Sequence, residues 1–245
     1  MALDIGDLEA FYATALGAHV ADRLASAVHQ LWPQNATRDD LVLAYGYGTP
    51  LVPLWPQADW HLLMPAQQGV MAGVHKAPIV LTDERHWPVR DDSVNRLLVL
   101  HGLEAANQVE LLLDEAWRVL RPNGRAVFIV ANRSGAWARG DTTPFGAGRP
   151  FSAPQLRQIL QRTGFVPGRQ RPALMLSPRL PLAMVRRLGA VESSMRLLTQ
   201  RLGGVWLAEA IKQVPAPLSV ERARKARARH LVGVPRPALS PHRTP

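Results

Sequence analysis

The stretch RLLVLHGLEAANQVELLLDEAWRVLRPNGRAVFIVA, from Arg96 to Ala131, decides the fold. Its two ends, Arg96–Leu100 and Ala126–Ala131, are short apolar runs of the kind that form strands buried on both faces. Between them, residues 105–120 place apolar side chains at helical spacing, and Arg121–Gly124 turns the chain with a proline and a glycine. The stretch therefore predicts a strand, a helix and a second strand.

Three more apolar runs of the same kind lie upstream and add strands to the predicted sheet. They are Leu41–Ala44, His61–Met64 and Ile79–Thr82. Downstream, Ser152 can cap a helix that ends at Gly164. Alternating strands and helices are typical of an α/β doubly wound fold, in which helices flank a mostly parallel sheet.

Both ends of the chain depart from this alternation. Residues 7–32 carry apolar residues at helical spacing, and we expect a helix there with a break near Gly17. Late in the chain, Ala173–Leu176 and Val205–Ile211 are expected to form a hairpin that a helical stretch interrupts.

We therefore expect three parts in the chain. Residues 1–37 form an N-terminal helical segment, and residues 38–213 form the α/β domain, with a helical insertion at about 180–202. The apolar stripe of this insertion packs on its own domain, or it covers the active site or a partner-binding surface. Residues 214–245 contain six prolines and form a basic, flexible tail.

The composition favours a folded protein and excludes several classes. Of the 245 residues, 47% are hydrophobic and 20% are charged, which is enough apolar surface for a sizeable core. The absence of cysteine excludes a disulfide scaffold, an iron–sulfur protein and a cysteine-ligated zinc site. The first residues resemble no secretory signal, and no apolar run has the length of a membrane span, so we expect a cytoplasmic protein.

The net charge of +10 comes from the C-terminal third of the chain. Residues 169–245 hold 15 Lys and Arg against 3 Asp and Glu, whereas residues 1–168 are nearly balanced. The run Glu221–His230 could contact the phosphates of nucleic acid or of acidic lipid. A solvated tail is the favoured interpretation, because no aromatic residues are interleaved with these charges.

Three stretches resemble the class I S-adenosylmethionine (SAM) dependent methyltransferases, and among them the small-molecule enzymes called type 11. They are LVLAYGYGTP at 41–50, LTDERHWPVRDDSVNRLLVLHGLE at 81–104 and EAWRVLRPNGRAVFIVANR at 115–133. The resemblance implies a Rossmann-like fold with a mostly parallel seven-stranded sheet flanked by helices. It also implies SAM as the cofactor and methyl transfer as the reaction.

The resemblance also assigns residues to the cofactor. A glycine loop after the first strand lets the backbone approach the amino-acid end of SAM, and Asp83 matches the acid that receives the adenine amino group. The sequence departs from the family at two positions where the family usually has a carboxylate. Ala44 stands at the first position. The segment 64–67 stands at the second, where the family's carboxylate accepts the ribose hydroxyls. Gln67, Gln68 or backbone groups could replace it. The residues that the resemblance assigns to SAM are Tyr45, Gly46, Tyr47, Gly48, Met64, Pro65, Asp83 and Glu84.

Further candidates follow the fourth and fifth strands. His101 lies where the family places groups that face substrate or cofactor, and it is either a general base or a hydrogen-bonded structural residue. Glu104 is expected to cap or pair at the start of the next helix. Residues 132–152 form a wall or lid over the crevice, or an ordered structural loop. The substrate-binding candidates in this segment are Asn132, Arg133, Trp137 and Arg149.

These residues leave two functions open. The first is SAM-dependent methyl transfer to an unidentified small or acidic acceptor, for which His101 is the candidate catalytic base. The second is a catalytically inactive, methyltransferase-like protein that binds a protein partner, because the usual carboxylates are replaced. The eight histidines are scattered without the spacing of metal ligands, so we expect no metal site.

Overall fold

The structure is built on one twisted sheet. The computed structural model describes residues 3–32, 36–70, 77–140, 143–181, 183–184 and 203–214. The strands are β1 (Leu41–Gly46), β2 (Asp59–Pro65), β3 (Ile79–Thr82), β4 (Val94–Leu100), β5 (Leu120–Ala131), β6 (Val166–Ala173) and β7 (Val205–Ile211). Their order across the sheet is β3-β2-β1-β4-β5-β7-β6.

The strand directions create a ligand crevice beside β1. Strands β1 to β5 are parallel, and β7 is antiparallel to both of its neighbours, β5 and β6. The prediction of a mostly parallel seven-stranded sheet is confirmed. Since β2 and β4 lie on opposite sides of β1, the strand order reverses there, and open sheets of this kind bind ligands at the carboxyl ends of the strands at that point.

Four α-helices flank the sheet within the described residues. They are α1 (Ile5–Ala13), α2 (Ala15–Leu31), α3 (Val109–Val119) and α4 (Ala153–Arg162). The break between α1 and α2 falls at Thr14, three residues before Gly17, because the Thr14 hydroxyl accepts the Gly17 N–H and so caps α2. A Cβ on Gly17 would lie 2.0 Å from the Phe11 carbonyl oxygen, so the glycine allows the two helices to meet closely.

The sequence prediction for β6 is wrong in position. The expected strand at Ala173–Leu176 is replaced by Val166–Ala173, which is polar and contains Pro167 and Pro172. Because β6 is the outermost strand beside β7, its prolines need no partner on the open side, and its polar residues face water. Apolar periodicity therefore gave no signal for this strand.

Alternate residues of the central strands enter two separate apolar layers. Val42 and Leu98 pack in the layer that contains α2, whereas Leu43 and Leu97 pack in the layer that contains α3 and α4. After β1, a 3-10 helix at Thr49–Leu54 stands where an α-helix is usual, because Pro50 and Pro53 restrict its backbone.

The chain divides into two compact units, residues 1–213 and residues 214–245. The helical insertion expected at 180–202 and the basic tail expected at 214–245 lie almost entirely outside the described residues. None of the helices in the described part of the chain has the length and apolar character needed to cross a membrane.

Candidate active site

The loop after β1 passes closely over the end of β4. Gly46 has a φ of 82°, and the Tyr47 N–H donates to the Leu100 carbonyl oxygen at 2.8 Å. A Cβ on Gly46 would lie 2.2 Å from that oxygen, and one on Gly48 would lie 2.3 Å from the Ala44 Cβ. The chain's own packing therefore requires both glycines, whether or not a ligand is bound.

Apolar side chains occupy the space beside this loop. Tyr47 and Met64 are buried in one cluster with Leu3 and Leu8 from the N-terminal segment. The ring of Tyr12 lies 5.3 Å from that of Tyr47, measured between centroids. The N-terminal residues 3–12 thus cover the carboxyl ends of β1 and β2.

His101 is enclosed beneath the same segment. Its side chain is fully buried, its Nε2 atom lies 2.9 Å from the Tyr12 hydroxyl, and its ring lies 4.5 Å from that of Phe145. Burial lowers the pKa of His101 to about 3, so the imidazole is neutral at physiological pH. Its backbone is in the left-handed region, with a φ of 56°, and its carbonyl oxygen accepts the Gln68 Nε2 at 2.7 Å.

Glu104 is a second buried ionisable group beside His101 in the sequence. One carboxylate oxygen accepts the Ala131 N–H at 2.8 Å, and burial raises the pKa of the group to about 7. The other oxygen has no hydrogen-bond partner within the described residues. Gln68 Oε1 and His101 Nδ1 are also buried without a hydrogen-bond partner within the described residues. Buried polar atoms without partners are rare and costly, so they mark a place where a ligand or water would be held.

Two cavities open along the crevice and share one wall. A cavity of about 320 Å³ is lined by Pro65 and Asp83 among others, and a cavity of about 260 Å³ is lined by Gln68, Glu104 and their neighbours. Gln67 and Asn107 line both, and the Asn107 Nδ2 donates to the Gln67 Oε1 at 2.7 Å. We call this pair the Gln67–Asn107 bridge. It separates two spaces that would form one crevice without it.

Glu84 anchors the bridge to the start of α3. Its carboxylate accepts the backbone N–H groups of Asn107 and Gln108 at 2.8 and 2.9 Å, and it accepts the Gln67 Nε2 at 2.9 Å. Glu84 therefore holds the N-terminal end of α3, the role that the sequence assigned to Glu104. The helix begins at Val109, four residues later than predicted, because residues 105–108 form this connection instead.

Comparison with known proteins agrees with this fold. Residues 64–128 match the profile of a methyltransferase domain family. This part of the chain is similar to a methyltransferase domain, and the sheet and helices around it form a Rossmann-like fold. No curated relative matches the sequence significantly.

Solved structures of methyltransferases share the fold at low identity. A SAM-dependent methyltransferase from Thermotoga maritima superposes with a TM-score of 0.62 at 15% identity, over 85% of this chain and 96% of that one. A Haloferax volcanii methyltransferase, solved in complex with the Trm112 activator, gives 0.58 at 16% identity, over 86% and 98%. A SAM-dependent methyltransferase from Mesorhizobium loti gives 0.53 at 12% identity, over 78% and 99%.

The fold brings three of the eight assigned cofactor residues, Pro65, Asp83 and Glu84, to the 320 Å³ cavity. Asp83 is exposed at the 320 Å³ cavity, where its carboxylate accepts the backbone N–H and the Nε of Arg85 at 2.9 and 3.0 Å. These hydrogen bonds lower the pKa of Asp83. The Tyr45 ring points away from the loop and stacks on Trp87 at 4.7 Å, in the apolar layer of α3 and α4.

The four substrate candidates separate into two groups. Asn132 and Trp137 are buried, and their side chains donate to the carbonyl oxygens of Gly203 and Leu176, so they fix the loop after β5. Arg133 and Arg149 are exposed. Arg133 donates to the Pro150 carbonyl oxygen, and Arg149 lines the 260 Å³ cavity. Of the four, Arg149 lies nearest to Glu104, whose carbonyl oxygen accepts the Arg149 N–H at 3.0 Å.

The residues at the crevice fit one half of SAM. The 320 Å³ cavity offers the Asp83 carboxylate as a hydrogen-bonding group for an adenosine, whereas the Gln67 amide already bonds to Glu84, Asn107 and the Ala105 carbonyl oxygen. No carboxylate follows β2, since the segment there reads Met64-Pro65-Ala66. The space beside the glycine loop, where the amino-acid end belongs, is occupied by Tyr47 and Met64 under residues 3–12. The second half therefore does not fit while residues 3–12 keep this arrangement.

Proposed function

We propose that the chain is a SAM-dependent methyltransferase that acts on a small, acidic acceptor, with Glu104 as the general base. The observation that carries the proposal is the state of Glu104: a buried carboxylate with a pKa raised to about 7, one oxygen without a partner within the described residues, and a cavity beside it. A general base works best when its pKa is near the operating pH. Strongly shifted pKa values at a crevice mark functional groups.

The acceptor is expected in the 260 Å³ cavity. Glu104 would take a proton from its hydroxyl or amine, and the exposed Arg149 guanidinium at the rim suits an acidic group. His101 has a pKa of about 3, so it is too weakly basic for this step. We assign His101 to positioning, through its contact with Tyr12 and the hydrogen bond that its carbonyl accepts from Gln68.

Cofactor binding requires two local movements. When bound, SAM supplies an activated methyl group, and the chain supplies placement. Opening the Gln67–Asn107 bridge would join the two cavities into one crevice. Moving residues 3–12 away from Tyr47 and Met64 would admit the amino-acid end. The Gln67–Asn107 bridge joins two exposed side chains, which separate at lower cost than a core strand.

The experiment is a titration of SAM combined with a transfer assay. Calorimetry on the full chain is expected to show micromolar to submillimolar binding that weakens in Asp83→Ala and not in Asp59→Ala, an exposed acid at the other end of the sheet. With methyl-labelled SAM and the small-molecule fraction of a cell extract, label transfer is expected with the wild type and lost with Glu104→Gln. Absence of heat at millimolar SAM contradicts the proposal.

A second candidate is a catalytically inactive domain that binds a protein partner. It is favoured by the occupied cofactor space and by β3, an edge strand whose Val80 and Leu81 are 44% and 46% exposed. Exposed apolar edge strands pair readily with another chain. The Haloferax volcanii relative is solved with a protein activator. If neither the wild type nor the Leu8→Ala variant binds SAM at millimolar concentration, the result would support this candidate over the first.

A further inference from the structure

A cavity of about 520 Å³ lies at the opposite edge of the sheet from the candidate active site. It is lined by the amino ends of β4 and β5, which hold Arg96 and residues 121–125. Its volume is in the range of small-molecule sites. The methyltransferase reaction proposed above makes no use of it.

Four arginines line this cavity, and we call them the arginine cluster: Arg96, Arg121, Arg125 and Arg169. Their carboxylate partners are fewer. Arg125 and Arg169 share the buried Glu209, at nitrogen–oxygen distances of 3.2 and 3.5 Å. Arg96 lies 4.0 Å from Asp40. Among the described residues, these four positive charges and two negative ones leave an excess of two.

Glu209 and Arg96 are fixed in place by other contacts. Glu209 also accepts the Trp32 Nε1 at 2.9 Å, which holds it at the base of the cluster. The Arg96 guanidinium lies 4.8 Å from the Trp55 ring centroid. Burial, and to a smaller extent the Arg125 charge, lowers the pKa of Arg96, so two guanidinium groups stand close enough to repel each other.

Arg121 completes the cluster from the start of β5. Its side chain is exposed and has no hydrogen bond or ion pair within the described part of the chain. A guanidinium without a partner keeps all of its donors for a ligand. The planar fork of arginine matches the oxygens of phosphate, and a phosphate monoester carries a charge of about −1.5 to −2.

We propose that this cavity binds a small molecule through a terminal phosphate group, held by Arg121 and Arg125. The ligand's charge equals the excess of the arginine cluster, and the remaining volume accommodates the rest of the molecule. The site is separate from the crevice at the carboxyl ends of the strands, so the proposal of a phosphate site does not depend on whether SAM binds.

The experiment titrates pyrophosphate into the full chain at low salt and repeats the titration in three variants. Arg121→Gln is expected to weaken binding about tenfold or more, because a charge-assisted hydrogen bond is lost. Arg121→Lys keeps the positive charge but lacks the planar guanidinium group. Its affinity for pyrophosphate is expected to lie between those of the wild type and Arg121→Gln. The matched control is Arg157→Gln on the exposed side of α4, which is expected to stay within about twofold of the wild type.

Three results would overturn the proposal. The first is no binding of pyrophosphate at millimolar concentration. The second is equal weakening by Arg121→Gln and Arg157→Gln, which indicates unspecific charge. The third is binding of a single-stranded oligonucleotide that depends on Arg121 while pyrophosphate does not bind, which assigns the cluster to nucleic acid instead. A thermal melt of Arg121→Gln is expected to match the wild type, since this side chain has no partner within the described residues.

Discussion

Replacing Leu8 by alanine is expected to strengthen SAM binding while weakening the fold. Leu8 is fully buried against Tyr47 and Met64. Truncating a buried leucine costs ~2–5 kcal/mol. In the state that admits SAM, residues 3–12 have left this cluster, so the cost falls on the closed state alone. A shift of ~2 kcal/mol changes the ratio of open to closed molecules by about 30-fold.

Calorimetry with SAM measures this shift. The dissociation constant of Leu8→Ala is expected to fall by up to about 30-fold relative to the wild type. The matched control is Leu24→Ala, which removes an equally buried leucine from α2 in the other apolar layer. It is expected to lower the melting temperature without changing SAM affinity. Equal SAM affinity in Leu8→Ala and the wild type would refute the argument that residues 3–12 close the crevice.

Three further predictions test individual groups. Burial raises the pKa of Glu104 to about 7, so the folded state binds the proton of this carboxyl group more tightly than the unfolded state does. The free energy of unfolding of the wild type is therefore expected to fall by roughly 3 kcal/mol as the pH rises from about 4.5 to about 7. In urea unfolding at about pH 5 and about pH 8, the Glu104→Gln variant is expected to show no such fall in its free energy of unfolding. The same fall in the variant would contradict the prediction. Glu84→Ala removes a helix cap and is expected to cost ~1–2 kcal/mol, against a few tenths for the exposed Glu110→Ala, by the same urea assay. Gly46→Ala is expected to lower the free energy of unfolding by more than ~2 kcal/mol, because residue 46 has a positive φ and the new Cβ would lie 2.2 Å from a carbonyl oxygen. Gly140→Ala is expected to be tolerated, because the nearest atom to its Cβ would lie 3.6 Å away. Equal melting temperatures for the two variants would contradict this prediction.

The parallel core of the sheet could be predicted because its signal is local. Each buried strand is a short apolar run, and β1, β3 and β4 begin within two residues of the predicted positions. Strand β5 begins at Leu120, six residues before the predicted Ala126, and includes the segment 121–124 that was predicted as a turn. Strand β6 was placed seven residues too late, since an edge strand that faces water carries no apolar pattern. The start of α3 was also misplaced, because Glu84, distant in the sequence, supplies its cap.

The candidate site could be predicted only in outline. The resemblance pointed to the crevice, and Asp83 and Glu84 line one of its cavities. It gave no indication that residues 3–12 fill the space beside Tyr47, because that contact joins segments about 40 residues apart. The sequence made His101 the candidate base and gave Glu104 a capping role, and it carried no signal for burial, which lowers the pKa of the His101 imidazole and raises that of the Glu104 carboxyl group.

Hydrogen–deuterium exchange of the full chain, with and without saturating SAM, tests most directly whether the cofactor enters by displacing the N-terminal segment. The account predicts faster exchange in α1 (Ile5–Ala13) when SAM is present, together with slower exchange at residues 66–68 and 83–84. Unchanged exchange in α1 while the crevice residues become protected would contradict it, as would unchanged exchange throughout the chain.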